Sequence, residues 1–562
     1  MKMVYPFSFF ENYDIVVLVI CMKKEFILKI LLLCFLAFVL WYFLLPPFNF
    51  QSPLFWVYLF LVGILAVFFF GFHGIDKESM VALFFKGTRV QSHFSFVPFK
   101  IFGGMGIVIL LLFGINFLNS PLFQSKKYAT RIMVDSTHSF ADDVALVDFS
   151  KTPLLDKESS QKLGDRIMGQ ATEWVSQFYV SDLYTQINYK DQIIRVTPIE
   201  YDDLFKYFAN REEGIKGYIK VDSVNGASEL VTLEKGMKYM PSSYFFENLY
   251  RKLRIDYPTL IFDEANFELD NDGNPYWIVP IVSYSGIGLR KDISGVVILN
   301  PITGESKKYL LDEIPSWVDH VFSSDLIIEQ MDDWGEYGGG FINSIFGQKN
   351  VVNTTEGYNY LVMDDDVFLY TGITSVSSDE SNLGFILSNL RTKETRYYIV
   401  PGAEEYSAMG SAEGLVQEKN YKASFPLLIN LNGRPTYLLS LKDNVGLVKM
   451  YAFVDVADYQ KVVVSDSSLG IEVAAQKYLG ESFITSNPDK IDSKTIVIEE
   501  VTSAVIDGNT YYYITDNHKQ LYFSSIKVNK ELLPFLKKGD RVVVQCFNGP
   551  VSEIVNIQKE VG

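Results

Sequence analysis

Carboxylates are the reactive groups that cluster in this chain. Asp364, Asp365 and Asp366 stand in a row. Adjacent carboxylates repel one another and gain from a cation between them, so the run is a candidate metal site as well as a candidate solvated turn. Between Asp325 and Phe346, the acids Glu329, Asp332, Asp333 and Glu336 interleave with Trp334, Tyr337 and Phe341 around Gly338, Gly339 and Gly340. Asp332, Asp333, Trp334, Tyr337 and Phe341 form a candidate ligand-binding surface, since glycines loosen the backbone and the rings offer the stacking area that glycans or peptides use. The segment also reads as an interdomain linker whose rings tuck into neighbouring units. Glu404 and Glu405 are a candidate acid–base pair, because glycoside hydrolysis needs two suitably spaced carboxyls and leaves no short motif.

Other chemistries lack their signatures. The chain has no phosphate loop ending Gly-Lys-Ser/Thr, no Gly-x-Ser-x-Gly, no His-Glu-x-x-His and no Cys-x-x-Cys. Its five histidines, His73, His93, His138, His320 and His518, are scattered rather than set at metal-ligand spacing. Asp270-Asn-Asp-Gly-Asn274 has its glycine at the fourth position instead of the sixth, which suits a hairpin turn better than a calcium loop. The sequence calls for no cofactor.

The elements that must position these groups fall into two unlike parts. The 562 residues carry a net charge of -17 yet are 48% hydrophobic, with a mean hydropathy of +0.11. That length suggests three or four folded units, and the apolarity excludes a disordered acidic tail. Residues 1–118 hold eight Lys and Arg against five Asp and Glu; from totals of 50 and 67 this leaves 42 basic and 62 acidic residues beyond, a balance of -20. Such acidity argues against nucleic acid as a partner.

Three apolar stretches in the first part, about 26–45, 54–72 and 101–118, have the length of membrane spans. Lys23 and Lys24 precede the first, the loop Pro46–Pro53 is uncharged, and Lys77, Lys86, Arg89 and Lys100 lie between the second and third. Counting positive residues puts the N-terminus in the cytoplasm and everything after Leu118 outside, at a plasma membrane crossed several times. Lys126, Lys127 and Arg131 count against that orientation, and Ile15–Met22 is a fourth apolar run, too short to cross. Met22-Lys23-Lys24-Glu25 before an apolar run is also an alternative translation start. Beyond the membrane part Cys546 is the one thiol, which excludes an intradomain disulfide and fits a bacterial exterior domain.

The exterior part is α+β. Short runs of Val, Ile, Tyr and Phe alternate with Asn-Gly and Asp-Gly turns, and helices are expected over Ser160–Tyr179, Ser242–Tyr257, Ala403–Lys419 and Ser468–Leu479. In the second helix Phe245, Phe246, Leu249, Leu253 and Ile255 make an expected buried stripe, capped by Ser242 or Ser243. Self-similarity is visible: Gly295–Tyr309 aligns without a gap on Gly384–Tyr398, and Asp272-Gly-Asn-Pro on Asn432-Gly-Arg-Pro.

The order of a helix, the Asp272-Gly-Asn-Pro-Tyr-Trp277 strand and a later strand ending Asn300-Pro-Ile-Thr-Gly-Glu-Ser-Lys-Lys-Tyr309 resembles the PepSY family, small extracytoplasmic modules whose last strand typically ends in an Asp-x-x-Thr-Gly-Glu turn. Asn300 replaces the Asp, and Lys393 stands in the second copy where Gly304 stands in the first. The resemblance covers 242–315, with degenerate copies to about Val464, and implies protein or peptide binding rather than chemistry. Strands over 496–506, 510–515, 520–524, 541–547 and 551–557, with a short helix at 529–536, look like an OB-type barrel. Residues 493–562 carry eight basic and eight acidic side chains, so Tyr511, Tyr512, Tyr513, Tyr522 and Phe523 are read as core rather than as a base-stacking platform.

The expected organisation is a transmembrane region (1–118), an N-terminal α+β segment (119–240), a PepSY-like module (241–318), a degenerate module with the Gly/aromatic linker (319–402), a third α+β module (403–485) and the barrel (493–562). The expected role is a membrane-anchored binding or scaffolding protein of the bacterial envelope. Its partners would be an envelope protein or peptide and the lipid bilayer. The alternatives are an envelope hydrolase, or an accessory subunit of a transport or secretion complex, for which Gly103-Gly104-x-Gly106 would allow close helix approach.

Overall fold

The computed structural model describes residues 10–71, 97–363, 365–376, 378–479, 491–506, 509–547 and 552–559. Its N-terminal block contains helices α1 (Phe10–Leu44), α2 (Pro53–Gly71) and α3 (Val97–Leu118). Instead of the three expected stretches of spanning length it has two, Ile27–Leu44 and Lys100–Leu118, and the apolar run of α2 is the shorter Pro53–Phe69. Pro53 fixes where α2 begins, since proline suits the first helical position and the residues before it belong to the connecting loop. Neither long stretch is buried. An apolar helix surface left exposed is suited to lipid. The run Ile15–Met22 continues into α1 rather than standing apart. The charges Lys77, Lys86 and Arg89 lie outside the described residues.

One end of this block is fastened to the rest of the chain by backbone hydrogen bonds. In the loop between α1 and α2, Phe48 N donates to Pro258 O at 2.7 Å, and Gly288 N donates to Gln51 O at 3.0 Å. At the end of α3, Asn116 donates to Ile287 O and accepts from Ile287 N, both at 2.9 Å. The C-terminal ends of α1 and α3 and the start of α2 therefore meet one surface.

After a short helix, Pro121–Ala129, the chain builds one plan four times. Each unit has a helix, two short strands that pair with the same edge of a third strand, and fourth and fifth strands added as a meander. The helices are Lys157–Gln170, Leu249–Asp256, Ser324–Tyr337 and Glu405–Gly414. The third strands are Gln192–Tyr201, Pro275–Ser283, Asp366–Ser375 and Arg434–Lys442. In the third unit Val134–Asp135 and Gly402–Ala403 extend the sheet to seven strands.

The turn between fourth and fifth strands shows why the copies align. Asn300 Oδ1 accepts from Ile302 N and Thr303 N, and Asn389 Oδ1 accepts from Arg391 N and Thr392 N. Asp222 and Asp455 form the same side-chain-capped turn in the first and fourth units. An Asx side chain that satisfies the amides two and three residues on is a strong local turn signal. Gly304 sits at φ +75°, and Lys393 takes the matching +65° while its ammonium pairs with Asp292 at 2.8 Å. The first unit is the copy that sequence comparison misses: its hairpin turn is Lys190-Asp191, both residues at positive φ, without the glycine of Asp272-Gly273 or Asn432-Gly433.

The units do not fold around separate cores. Trp277, Phe267, Tyr207 and Tyr218 fill a core shared by the first and second, Leu326, Ile327 and Met331 lie in one shared by the second and third, and Tyr370, Tyr437 and Phe453 lie in one shared by the third and fourth. Several expected helices are shorter or shifted. The second begins only at Leu249, capped by Asn248 rather than Ser242 or Ser243, so Phe245 and Phe246 precede it and are exposed. Leu249 and Leu253 alone keep the buried stripe.

The C-terminal strands Ile491–Ile506, Asn509–Asp516, Leu521–Ser525, Arg541–Phe547 and Ser552–Lys559 close a five-stranded barrel, with the third and fifth strands parallel. Short 3-10 turns, Ile526–Val528 and Leu533–Phe535, replace the expected helix. Tyr522 is buried in the barrel, whereas Tyr513 and Phe523 stack on each other.

Candidate functional site

The aromatic–acidic segment is a helix rather than a glycine-loosened linker. Ser323 caps it by accepting from Leu326 N, and Gly338 follows its last residue. Asp332 Oδ1 accepts from Thr354 N and Oγ1, at 2.8 and 2.9 Å, and so ties the helix to the first strand of its own unit. Asp333 is paired with Arg131, which also binds Glu329 at 2.7 Å. Burial nevertheless pushes the Asp333 carboxyl up to about 6, against the Arg131 charge. Trp334 packs on Tyr397 with ring centroids 6.2 Å apart, and Tyr337 bridges Tyr128 and Phe341. These groups are half-buried, and their polar and ring contacts are made within the protein.

The aspartate run is likewise committed. Asp364 lies outside the described residues. Asp366 receives Arg391 through two guanidinium nitrogens, at 2.8 and 2.6 Å, and Asn389 at 2.7 Å, while Asp365 receives Asn188 Nδ2 at 2.7 Å. The cation beside Asp366 is the chain's own arginine. Among the described residues no three His, Cys, Asp or Glu side chains come together to hold a metal ion.

Glu404 and Glu405 do not form an open pair. Glu405 is fully buried at the start of its helix, and burial pushes its carboxyl up to about 7, with Thr355 and Asn382 pulling the other way. A second buried set, without a sequence signature, sits where the first three units meet. Glu268 accepts from Asp319 N at 2.8 Å and His320 N at 3.0 Å, and Asp319 accepts from Asn188 N at 2.8 Å. Burial raises both carboxyls. His320 Nε2 lies 2.6 Å from Gln186 O, and burial lowers its imidazole to about 4, which leaves it neutral and donating.

Open volume lies elsewhere. A cleft of about 400 Å³ is walled by Ala145–Asp148, by Asn188 and Asp191 of the first unit, by Leu361–Met363 and Asp365 of the third, and by Leu427–Asn430 of the fourth. The strands Asn359–Met363 and Leu427–Leu431 are second strands, each paired along one edge to the third strand of its unit. Residues of both strands line the cleft. One has already attracted chain: Leu146 bridges Asn430 in parallel fashion, and Val147 N donates to Asn430 O at 2.9 Å. At the rim, Asp148 accepts from Ser150, and Asp143 accepts from Tyr398 Oη at 2.9 Å. Lys151 is a cation in the same wall. Asp143, Asp148, Asp191 and Asp365 are all in the lining, with Asp143 also paired to His138 and Arg396. The lining residues lie far apart in the chain, so the cleft leaves no local mark in the sequence.

No family model matches this chain, and no curated protein matches it.

Proposed function

We propose that the protein is a membrane-anchored binding or scaffolding protein of the bacterial envelope that takes an extended polypeptide segment in the cleft. The observation that carries this reading is that two strands, each paired to the third strand of its unit, line one cleft, where the chain's own Leu146 bridges one of them. An edge strand is a template for another strand, giving affinity through main-chain hydrogen bonds and specificity through alternate side chains. Carboxylates around the opening favour a segment carrying Lys or Arg.

The repeated plan with its Asx-capped turn supports reading the four units as PepSY-like, and the strand order with a parallel third–fifth pair supports reading the barrel as OB-type. The membrane reading is three crossings with the N-terminus in the cytoplasm. If α1 and α3 both cross toward the surface that binds their C-terminal ends, the chain must return between them. At about 1.5 Å per residue the 19 residues of α2 reach about 28 Å, close to a hydrocarbon core of about 30 Å. A second reading, an accessory subunit of a membrane complex, has one observation in its favour: a Cβ at Gly103, Gly104 or Gly106 would meet nothing within 4 Å, leaving that face of α3 open to another helix.

The test is a titration of the full-length protein in nanodiscs with a fluorescent ten-residue Lys/Val/Thr peptide. Saturable binding that is lost in Ala145→Trp, which fills the cleft from an exposed position, supports the proposal. Binding unaffected by that substitution overturns it.

A further inference from the structure

Phe205 and Phe246 are 79% and 68% exposed, and Phe208 and Phe245 are 49% and 45% exposed. Phe205 and Phe208 share one face of the helix Leu204–Asn210, being three residues apart. Phe208 and Phe245 are in contact, with ring centroids 5.9 Å apart. Phe245 is also held at φ +52°, a backbone conformation that costs energy for a non-glycine residue and here turns the Phe245-Phe246 pair outward. Four phenyl rings on one surface are more than isolated exposure on a soluble face explains.

Where this patch sits is fixed by its link to α1. Arg251 Nη1 donates to Phe245 O at 2.6 Å, and the same guanidinium lies 4.0 Å from the centroid of the Tyr42 ring, in the last turn of α1. Three residues on, Arg254 Nε donates to Leu45 O at 2.9 Å, at the point where α1 ends. The patch is therefore tied to the C-terminal end of a helix whose apolar stretch runs to Leu44. When such a helix crosses a bilayer, its last turn lies at the boundary between acyl chains and headgroups, the depth that aromatic rings favour. In that placement Arg251, stacked on Tyr42, would lie at the depth of lipid phosphates.

We infer that Phe205, Phe208, Phe245 and Phe246 form a second membrane contact, seated in the interfacial layer of the leaflet reached by the end of α1. The inference rests on the membrane reading above. It adds that the exterior part is pinned to the bilayer at a second point rather than swinging on its helices, which sets the direction in which the cleft faces. The occupant of the patch is the lipid surface itself, because the α1 end that holds the patch in place is itself a lipid-suited surface.

Nitroxide depth measurement tests it on the full-length protein in nanodiscs. Labels are placed one at a time by Phe246→Cys, Phe205→Cys, Phe35→Cys and Phe535→Cys, in a background of Cys21→Ala, Cys34→Ala and Cys546→Val. Phe35 is an exposed residue of α1, and Phe535 an exposed residue of the barrel. The ratio of collision with oxygen to collision with an aqueous nickel chelate is expected to be several-fold higher at 246 and 205 than at 535, and highest at 35. Labels at 246 and 205 that match 535 while 35 reports lipid overturn the inference and leave the membrane reading standing. If 35 also matches 535, the membrane reading falls and takes the inference with it.

Discussion

The helix Ser324–Tyr337 and the cleft walls both set carboxylates beside apolar side chains, and they differ in where the partners of those carboxylates are. On the helix, Asp332 and Asp333 are satisfied from within, by Thr354 and by an arginine 202 residues away in sequence. In the cleft, Asp148 and Asp365 are held from one side and line open volume. Residue types alone mark the helix as capable of binding and do not mark the cleft; tertiary partners decide which one is available to a ligand.

Substitutions should separate the two regions sharply. Arg131→Ala leaves Asp333 half-stranded in a buried position and is expected to cost about 4 kcal/mol, read from urea unfolding, because removing one partner of a buried ion pair strands the other charge. Trp334→Ala opens a cavity against Tyr397 and should cost about 3 kcal/mol in the same experiment. A change below 1 kcal/mol in either would mean that the helix is as free as the cleft.

A pH series probes the buried carboxyl that sequence reading offers as a catalyst. Glu405 is protonated in the fold up to about 7, whereas in the unfolded chain it titrates near 4.5, so folding takes up a proton between those values. Its contribution is fully present below about 4.5 and is lost as pH rises to about 7. Glu405→Gln should flatten the decline of melting temperature over that window, by about 2 kcal/mol in stability. An unchanged profile would show that Glu405 is hydrated. Ala145→Trp, in the cleft, should change stability by less than about 0.5 kcal/mol while removing peptide binding.

What the sequence discloses follows the range of the forces involved. The Asx turns at Asn300 and Asn389 and the glycine hairpins at Gly273 and Gly433 are decided within five residues, and they are legible. The apolar block is equally plain, because composition alone sets its solvent. The helix of the third unit is obscured because Asp332, Asp333 and Glu336 break an apolar stripe whose buried members are Leu326, Ile327 and Met331. The junction of Glu268, Asp319 and His320 is not written locally at all: its hydrogen bonds join residues 51 to 134 positions apart. The cleft is the extreme case, since its walls come from three of the four units and from the segment Ala145–Asp148, far apart in the chain.

Amide hydrogen exchange on the full-length protein in nanodiscs, with and without the Lys/Val/Thr peptide, tests the central claim most directly. The account predicts that peptide slows exchange at Leu361–Met363 and Leu427–Asn430 and leaves Ser324–Tyr337 unchanged. Protection confined to Ser324–Phe346, or none at the two strand edges under saturating peptide, would contradict it.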